Sequence, residues 1–251
     1  MNFFIGTSGY NYKHWLNGVF YPPGIKEKDL FSHYQKYFNS VELNVTFYRL
    51  PSEKVFESWY RKSKKDFGFV VKGSRFITHV KKLKEIEEPV NLFSHRCSFL
   101  KEKLLCILWQ LPPSLKKDIK KLVNFINCIK RNEFFKFIDH SIEFRHSSWF
   151  EEDVLEILKE NNINLCIAHS QRWPMYEAIT SDFIYLRFHG GEVLYGTEYS
   201  INELRSWAEK IKKWKETHKL KKAYIFFNND AYGFAVKNAQ EFKRLLEDES
   251  L

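Results

Sequence analysis

Phe183-Ile184-Tyr185-Leu186-Arg187-Phe188-His189 reads as a strand buried on both faces: it is apolar almost throughout and ends in charge. Arg187 and His189 lie two residues apart, so an extended chain points both to one side. Seven further runs have the same character, at residues 3–7, 41–44, 67–72, 104–110, 137–143, 165–169 and 224–229. They are short, rich in Val, Ile, Leu and Phe, and not alternating, which is the pattern of parallel strands covered on both faces.

Between most of them lie helical patterns, at residues 30–38, 55–63, 122–129, 154–158, 204–214 and 235–246. Ser200 followed by Glu203 predicts a capping box at the head of the helix before the last strand, and Pro51-Ser52 opens the second helix. Strands alternating with helices predict an α/β fold, specifically a single TIM-type (β/α)8 barrel spanning residues 1–251. Two irregularities are expected. Residues 170–182 leave room only for a short or irregular sixth connection. Residues 8–25, with Gly9, Gly18, Pro22, Pro23, Gly24 and several aromatics, predict a long first loop over the barrel mouth.

Composition supports a well-filled core, with 44% hydrophobic and 18% aromatic residues. No basic start with a following apolar segment and cleavage site is present, and no apolar stretch is long enough to span a bilayer. The expectation is a cytoplasmic protein without a membrane partner. Cys97, Cys106, Cys128 and Cys166 show no metal-ligand or redox spacing and read as small buried hydrophobes. The formal net charge is +9, and Lys81, Lys82 and Lys84, or Lys212, Lys213 and Lys215, form local basic runs. Acidic Glu85, Glu87 and Glu88 follow the first, and the second sits opposite an apolar helix face of Leu204, Trp207, Ala208, Ile211 and Trp214. Solvated helix faces explain both more simply than a polyanion-binding stripe.

Strand endings carry the chemistry. Same-face pairs are Glu42 with Asn44, Lys72 with Ser74, Glu143 with Arg145, Arg187 with His189, and Asn228 with Asp230, and Gln110 ends the fourth run. Charges at the ends of buried strands are costly unless paired or used by a ligand. If the barrel closes, all of them meet at one mouth, with Glu42, Lys72, Glu143 and Arg187 sharing one cavity.

At this point the chain resembles the YecE-like proteins, domain of unknown function family 72. The resemblance runs from Ile5 to about Asp230 and rests on ordered stretches. These are Gly6-Thr7-Ser8-Gly9-Tyr10 with His14-Trp15; Val41-Glu42-Leu43-Asn44 with Thr46-Phe47-Tyr48-Arg49-Leu50-Pro51; and Val71-Lys72 with Ser74-Arg75 and Ile77-Thr78-His79. Later come Gln110-Leu111-Pro112-Pro113-Ser114, Glu143-Phe144-Arg145-His146 with Ser148-Trp149-Phe150, Arg187 with His189-Gly190, and Phe227-Asn228-Asn229-Asp230. The resemblance implies a TIM-type barrel and no established reaction. It also implies a departure, because His169 stands where relatives often carry Asp.

The reading is an enzyme acting on a small anionic or polar substrate by acid/base chemistry, with hydrolase, lyase and isomerase all open. Glu42 and Glu143 are the acid/base candidates, His189 the proton shuttle, and Lys72, Arg145 and Arg187 the charge stabilisers. Lys72 has a second reading, as a nucleophile if burial lowers its pKa. Thr7, His14, Trp15, Asn44, Tyr48, Arg75, Gln110, Trp149, Asn228 and Asp230 complete the expected binding set, with Trp15, Tyr48 and Trp149 as stacking walls. Structural explanations stand beside these: the glutamates and arginines as an ion-pair network closing the mouth, the aromatics as core, and His79 and His146 as loop caps.

No cofactor is expected. Glu42, Glu143, His169, His189 and Asp230 are conceivable divalent-metal ligands, but Lys72, Arg145 and Arg187 would repel a cation there. P-loop, dinucleotide, metalloprotease and serine-hydrolase motifs are missing from the sequence. Two other functions stay open: a nucleic-acid-binding or nucleic-acid-processing protein using the basic surface, and a barrel that binds a ligand without transforming it.

Overall fold

A computed structural model describes residues 1–247. Its strands are β1 (Asn2–Thr7), β2 (Ser40–Leu43), β3 (Gly68–Lys72), β4 (Leu104–Gln110), β5 (Asp139–Glu143), β6 (Asn164–Leu165), β7 (Ile167–His169), β8 (Phe183–Phe188) and β9 (Lys222–Phe227). Every expected run contains a strand, and the sixth is divided at Cys166 into β6 and β7. All pairings are parallel. The strands form two sheets, ordered β1-β9-β8-β7 and β2-β3-β4-β5-β6, and neither sheet closes on itself.

Two seams bring the sheets together. At one, Ser8 bridges Glu42 in parallel and Gly9 N–H donates to the Glu42 carbonyl at 2.9 Å. Gly6 lies on this approach, where an added Cβ would stand 2.1 Å from the Ser40 carbonyl oxygen; only glycine lets β1 and β2 pass so closely. At the other, Cys166 N–H donates to Ile142 O at 2.9 Å, carrying the chain from one sheet into the other.

The strands sort their side chains by parity, as the pleat requires. Phe69, Val71, Ile107, Trp109, Ile184, Leu186, Ala223 and Ile225 join the larger apolar cluster, with helix residues such as Phe56, Phe93, Phe125, Leu158, Ile211 and Phe242. Val70, Cys106, Leu108, Ala168, Phe183, Tyr185, Tyr224 and Phe226 form a second cluster drawn from both sheets. Lys72, Gln110, Arg187 and Asn228 continue the parity of this inner set. The first polar residues beyond the inner apolar layer are therefore the ones read as same-face pairs.

Helices α1 (Leu30–Tyr34), α2 (Val45–Tyr48), α3 (Glu53–Lys62), α4 (Glu87–Cys97), α5 (Ile119–Arg131), α6 (Glu152–Glu160), α7 (Ile201–Thr217) and α8 (Phe234–Glu247) connect the strands. The capping box at Ser200 and Glu203 is present. Ser52 occupies the N-cap of α3, but its side chain makes no capping bond. Residues 170–182 contain no helix, in line with an irregular sixth connection, and residues 8–25 form a long loop with one 3-10 turn, Lys13–Trp15. Helices α2 and α4 and a π-helical turn, Phe76–Val80, were not expected. Among the described residues no helix is long and apolar enough to cross a membrane. All four cysteines are free, and Cys97, Cys106 and Cys166 are buried.

Candidate active site

Beyond the carboxyl ends of the strands lies a cavity of about 610 Å³. Its walls are Tyr12 and His14 from the first loop, Asn44, Phe47 and Tyr48 after β2, Lys72, Arg75 and His79 after β3, and Gln110, Arg145, Arg187, Tyr195, Asn228, Asp230 and Ala231. Ten of the expected site residues are thus brought together: His14, Asn44, Tyr48, Lys72, Arg75, Gln110, Arg145, Arg187, Asn228 and Asp230.

Beneath the cavity floor is a buried ion-pair layer. Arg187 donates from Nε and Nη2 to the two Glu42 oxygens at 2.9 and 2.6 Å, and from Nη1 to Glu143 Oε2 at 2.6 Å. Glu42 also accepts from Ser8 Oγ at 2.7 Å and Tyr185 Oη at 2.6 Å. Glu143 accepts from Gln110 Nε2 at 2.9 and 3.0 Å and from Arg145 Nε at 2.8 Å. Glu42 and Glu143 are fully buried. Burial alone would raise both carboxyls; the Arg187 charge outweighs it at Glu42, and Arg145 and Arg187 together hold Glu143 well below the usual carboxylate range.

This geometry corrects the expected roles. Glu42 and Glu143 do not line the cavity, so only Lys72 and Arg187 of the anticipated quartet share it. Every oxygen of the two glutamates is engaged, which leaves neither free to exchange protons with a ligand. Arg187 spends all three nitrogens on them, so it is a clamp for carboxylates of the protein rather than an open anion anchor.

His189 is also below the cavity and fully buried. Burial and then the Arg187 charge push its pKa well below the usual imidazole range. Arg187 Nη1 lies 3.3 Å from its Nε2 and the Asn228 amide 3.1 Å from its Nδ1. The Asn228 atom beside Nδ1 is its amide nitrogen, Nδ2, a donor that a neutral ring accepts at Nδ1. Buried and absent from the cavity wall, the ring is not placed for the expected shuttle role.

Three expected binding residues are packed away from the cavity. Thr7 is buried with its hydroxyl bonded to Gly9 O at 2.6 Å. Trp149 stacks on Phe144 with centroids 4.7 Å apart and donates to Leu115 O at 2.7 Å, so it is core. Trp15 is fully buried, yet its Nε1 donates to Asp230 Oδ1 at 2.7 Å and fixes that carboxylate. His169 bonds Tyr199 Oη at 2.7 Å and lies outside the cavity wall. Among the described residues no group of three or more His, Cys, Asp or Glu is arranged to hold a metal.

The cavity wall differs from the layer below in its open valences. The Lys72 side chain is buried, and its Nζ has neither a hydrogen bond nor an ion pair among the described residues; it rests 4.1 Å from the Phe47 ring centroid. Burial, then the neighbouring Arg187 charge, lowers its pKa to about 7. Arg145 sits over the Trp173 ring at 4.5 Å, and only its Nε is spent on Glu143. Asn44 Oδ1 is buried without a hydrogen-bond partner among the described residues. Opposite them, Asp230 is raised to about 6 by burial, against hydrogen bonds from Trp15 and from His14, whose Nε2 lies 2.9 Å away. Burial and the Lys72 charge depress His79 to about 4.

The model of the family described as "Protein of unknown function DUF72" matches residues 4–251. The chain belongs to the DUF72 family. Among DUF72 relatives, UPF0759 protein YunF of Bacillus subtilis (strain 168) is 24% identical over 268 residues, covering 91% of this chain and 90% of its own. UPF0759 protein YecE of Escherichia coli (strain K12) is 24% identical over 210 residues, covering 73% and 74%. A crystal structure of a DUF72 family protein from Thermotoga maritima MSB8 has a TM-score of 0.85 at 31% identity, covering 99% of this chain and 100% of that one. A DUF72 family protein from Enterococcus faecalis V583, at 19% identity and TM-score 0.81, covers 98% and 96% and shares the fold.

Tyr12, Phe47, His79, Tyr195 and Ala231 line the cavity without having been assigned to it. Phe47 carried a signal, since it lies three residues past Asn44, in the short helix α2 that follows β2. Tyr195 did not: it belongs to a loop among Gly190, Gly191 and Gly196, where no periodicity points a side chain anywhere.

Proposed function

We infer that the two sheets are halves of one (β/α)8 barrel, a single domain, and that its mouth is the active site of an enzyme for a small organic anion. The observation that carries this reading is the contrast in partners around the cavity. The buried layer holds two carboxylates, Glu42 and Glu143, against two guanidiniums, Arg187 and Arg145, and is already neutral. Lys72 and the outer nitrogens of Arg145 then face the cavity without a carboxylate of the protein. Arg75 adds a further cation on the same wall. A phosphate or carboxylate supplies the missing acceptors, and a hydroxyl on the same molecule satisfies Asn44 Oδ1.

Acid/base work falls to groups whose environments pull their pKa values toward neutrality from opposite directions. Lys72, lowered to about 7, is the base, and the Asp230–His14 pair, with Asp230 raised to about 6, is the proton donor. The polyanion reading draws support only from the overall charge, and the basic runs at Lys81–Lys84 and Lys212–Lys215 lie on different elements.

Calorimetric titration with inorganic phosphate and a panel of organic phosphates and carboxylates tests the pocket. At least one should bind, and Arg145→Ala should weaken it by about tenfold or more, the scale of a charge-assisted pair. If no anion binds the native protein more tightly than the variant, the reading fails. Binding without turnover of any binder would instead mark a ligand-binding barrel.

A further inference from the structure

We propose that Lys72 is a nucleophile, whose Nζ forms an imine with the carbonyl carbon of a small oxo compound bearing a carboxylate or phosphate. The proposal rests on the anion-pocket reading and deepens it: the neutral amine read there as a base acts on carbon instead, which names the substrate class and the bond made.

Geometry carries it. Lys72 ends β3 with its side chain on the inner face, 7% exposed, yet opening on the cavity. Its nitrogen meets the face of Phe47 instead of a hydrogen-bond acceptor. The nearby carboxylates Glu42 and Glu143 are already clamped by Arg187 and Arg145, so the amine has cationic neighbours and no counter-ion of its own. A desolvated lysine beside fixed cations is the arrangement that keeps an amine neutral and nucleophilic. The lowered pKa agrees with this. A lysine meant only to hold charge would be stabilised by an acceptor in the resting protein.

The step balances without an oxidant or reductant. The Nζ lone pair forms the C–N bond while the carbonyl π pair moves to oxygen, which takes a proton from the Asp230–His14 pair. The nitrogen then releases a proton, the hydroxyl takes one up and leaves as water. One amine and one carbonyl give one imine and one water. Protonated, that imine draws electrons from the adjacent carbon, so the class of reaction it serves is cleavage or formation of a C–H or C–C bond next to the carbonyl.

Glyoxylate, the smallest aldehyde bearing a carboxylate, is the probe, since a cavity of about 610 Å³ cannot exclude it on size. The native protein is incubated with glyoxylate and cyanoborohydride at pH 7 and mapped by peptide mass spectrometry, with Lys72→Arg as the control. Lys72 should be labelled at least about tenfold faster than the surface lysines, because most of its competitors are protonated at that pH. The rate should fall as pH drops below about 7, and inorganic phosphate should compete. Glyoxylate that binds by calorimetry but labels Lys72 no faster than surface lysines overturns the imine and leaves the anion pocket standing. Absence of glyoxylate binding while inorganic phosphate binds overturns the imine and leaves the anion pocket standing, and absence of binding by every anion of the panel overturns both.

Discussion

The buried layer of Glu42, Glu143, Arg187 and His189 and the cavity wall of Lys72, Arg145, Asn44 and Asp230 are both built from charged and polar residues at or just beyond the strand ends. They differ in how completely their polar groups are partnered. In the layer every glutamate oxygen and every Arg187 nitrogen is engaged by protein. In the wall an amine, a pair of guanidinium nitrogens and an amide oxygen are left over. Partnered charge fixes the shape of the mouth, whereas unpartnered charge is what a ligand can use. Charge at a strand end therefore does not by itself identify a catalytic group.

The strongest way to break this comparison is to remove the clamp. Arg187→Met leaves buried Glu42 without its guanidinium partner and Glu143 with Arg145 alone, and the expected loss is about 3–5 kcal/mol in urea denaturation, or failure to fold. Arg187→Lys should recover only part of it, because an ammonium cannot engage Glu42 through two nitrogens and Glu143 through a third. A folded Arg187→Met protein within about 1 kcal/mol of the native one would show that the layer is not structural.

The wall should respond with the opposite sign. Lys72 has a folded-state pKa of about 7, below its unfolded value near 10.4, so folding expels a proton from it between those limits. The stability it withholds is greatest below pH 7 and is recovered as pH rises toward 10.4. Lys72→Met, similar in volume, should stabilise the fold by about 2–4 kcal/mol at pH 6.5. The gain over the native protein should shrink at pH 9.5. Denaturant midpoints at the two pH values read both, and a destabilised Lys72→Met protein would place Lys72 with the partnered layer.

How much of this was legible follows from the same distinction. Two-residue parity in buried strands is a property of the backbone, so Glu42, Lys72, Gln110, Glu143, Arg187 and His189 could be assigned to one side of their strands from sequence. Depth could not. Glu42 is held in the layer by Ser8 and Tyr185, and Glu143 by Gln110, all from other strands or their ends, and sequence spacing carries no such information. Helix α4 was not expected although Val90, Phe93 and Cys97 follow helical spacing, and Pro89 lies in its first turn, where proline is tolerated. The aromatic walls were half legible: Tyr48 borders the cavity, but Trp149 belongs to the core through its stacking on Phe144.

The finest test of the contrast is Asp230, which has partners yet remains titratable. Its Oδ1 accepts from Trp15 and its Oδ2 faces His14, but burial outweighs both and holds the carboxyl up near 6, above its unfolded value near 3.9. A raised carboxyl contributes stability that is present below about pH 4 and lost as pH climbs through about 6. The native protein should therefore lose ground to Asp230→Asn across that window. The expected change is about 1–2 kcal/mol, less than the full shift would give because the pair borders the open cavity and solvent screens it. If the stability difference between the two proteins stays flat from pH 4 to 7, Asp230 is ionised throughout and belongs with the partnered layer, not with the proton donors proposed for the cavity.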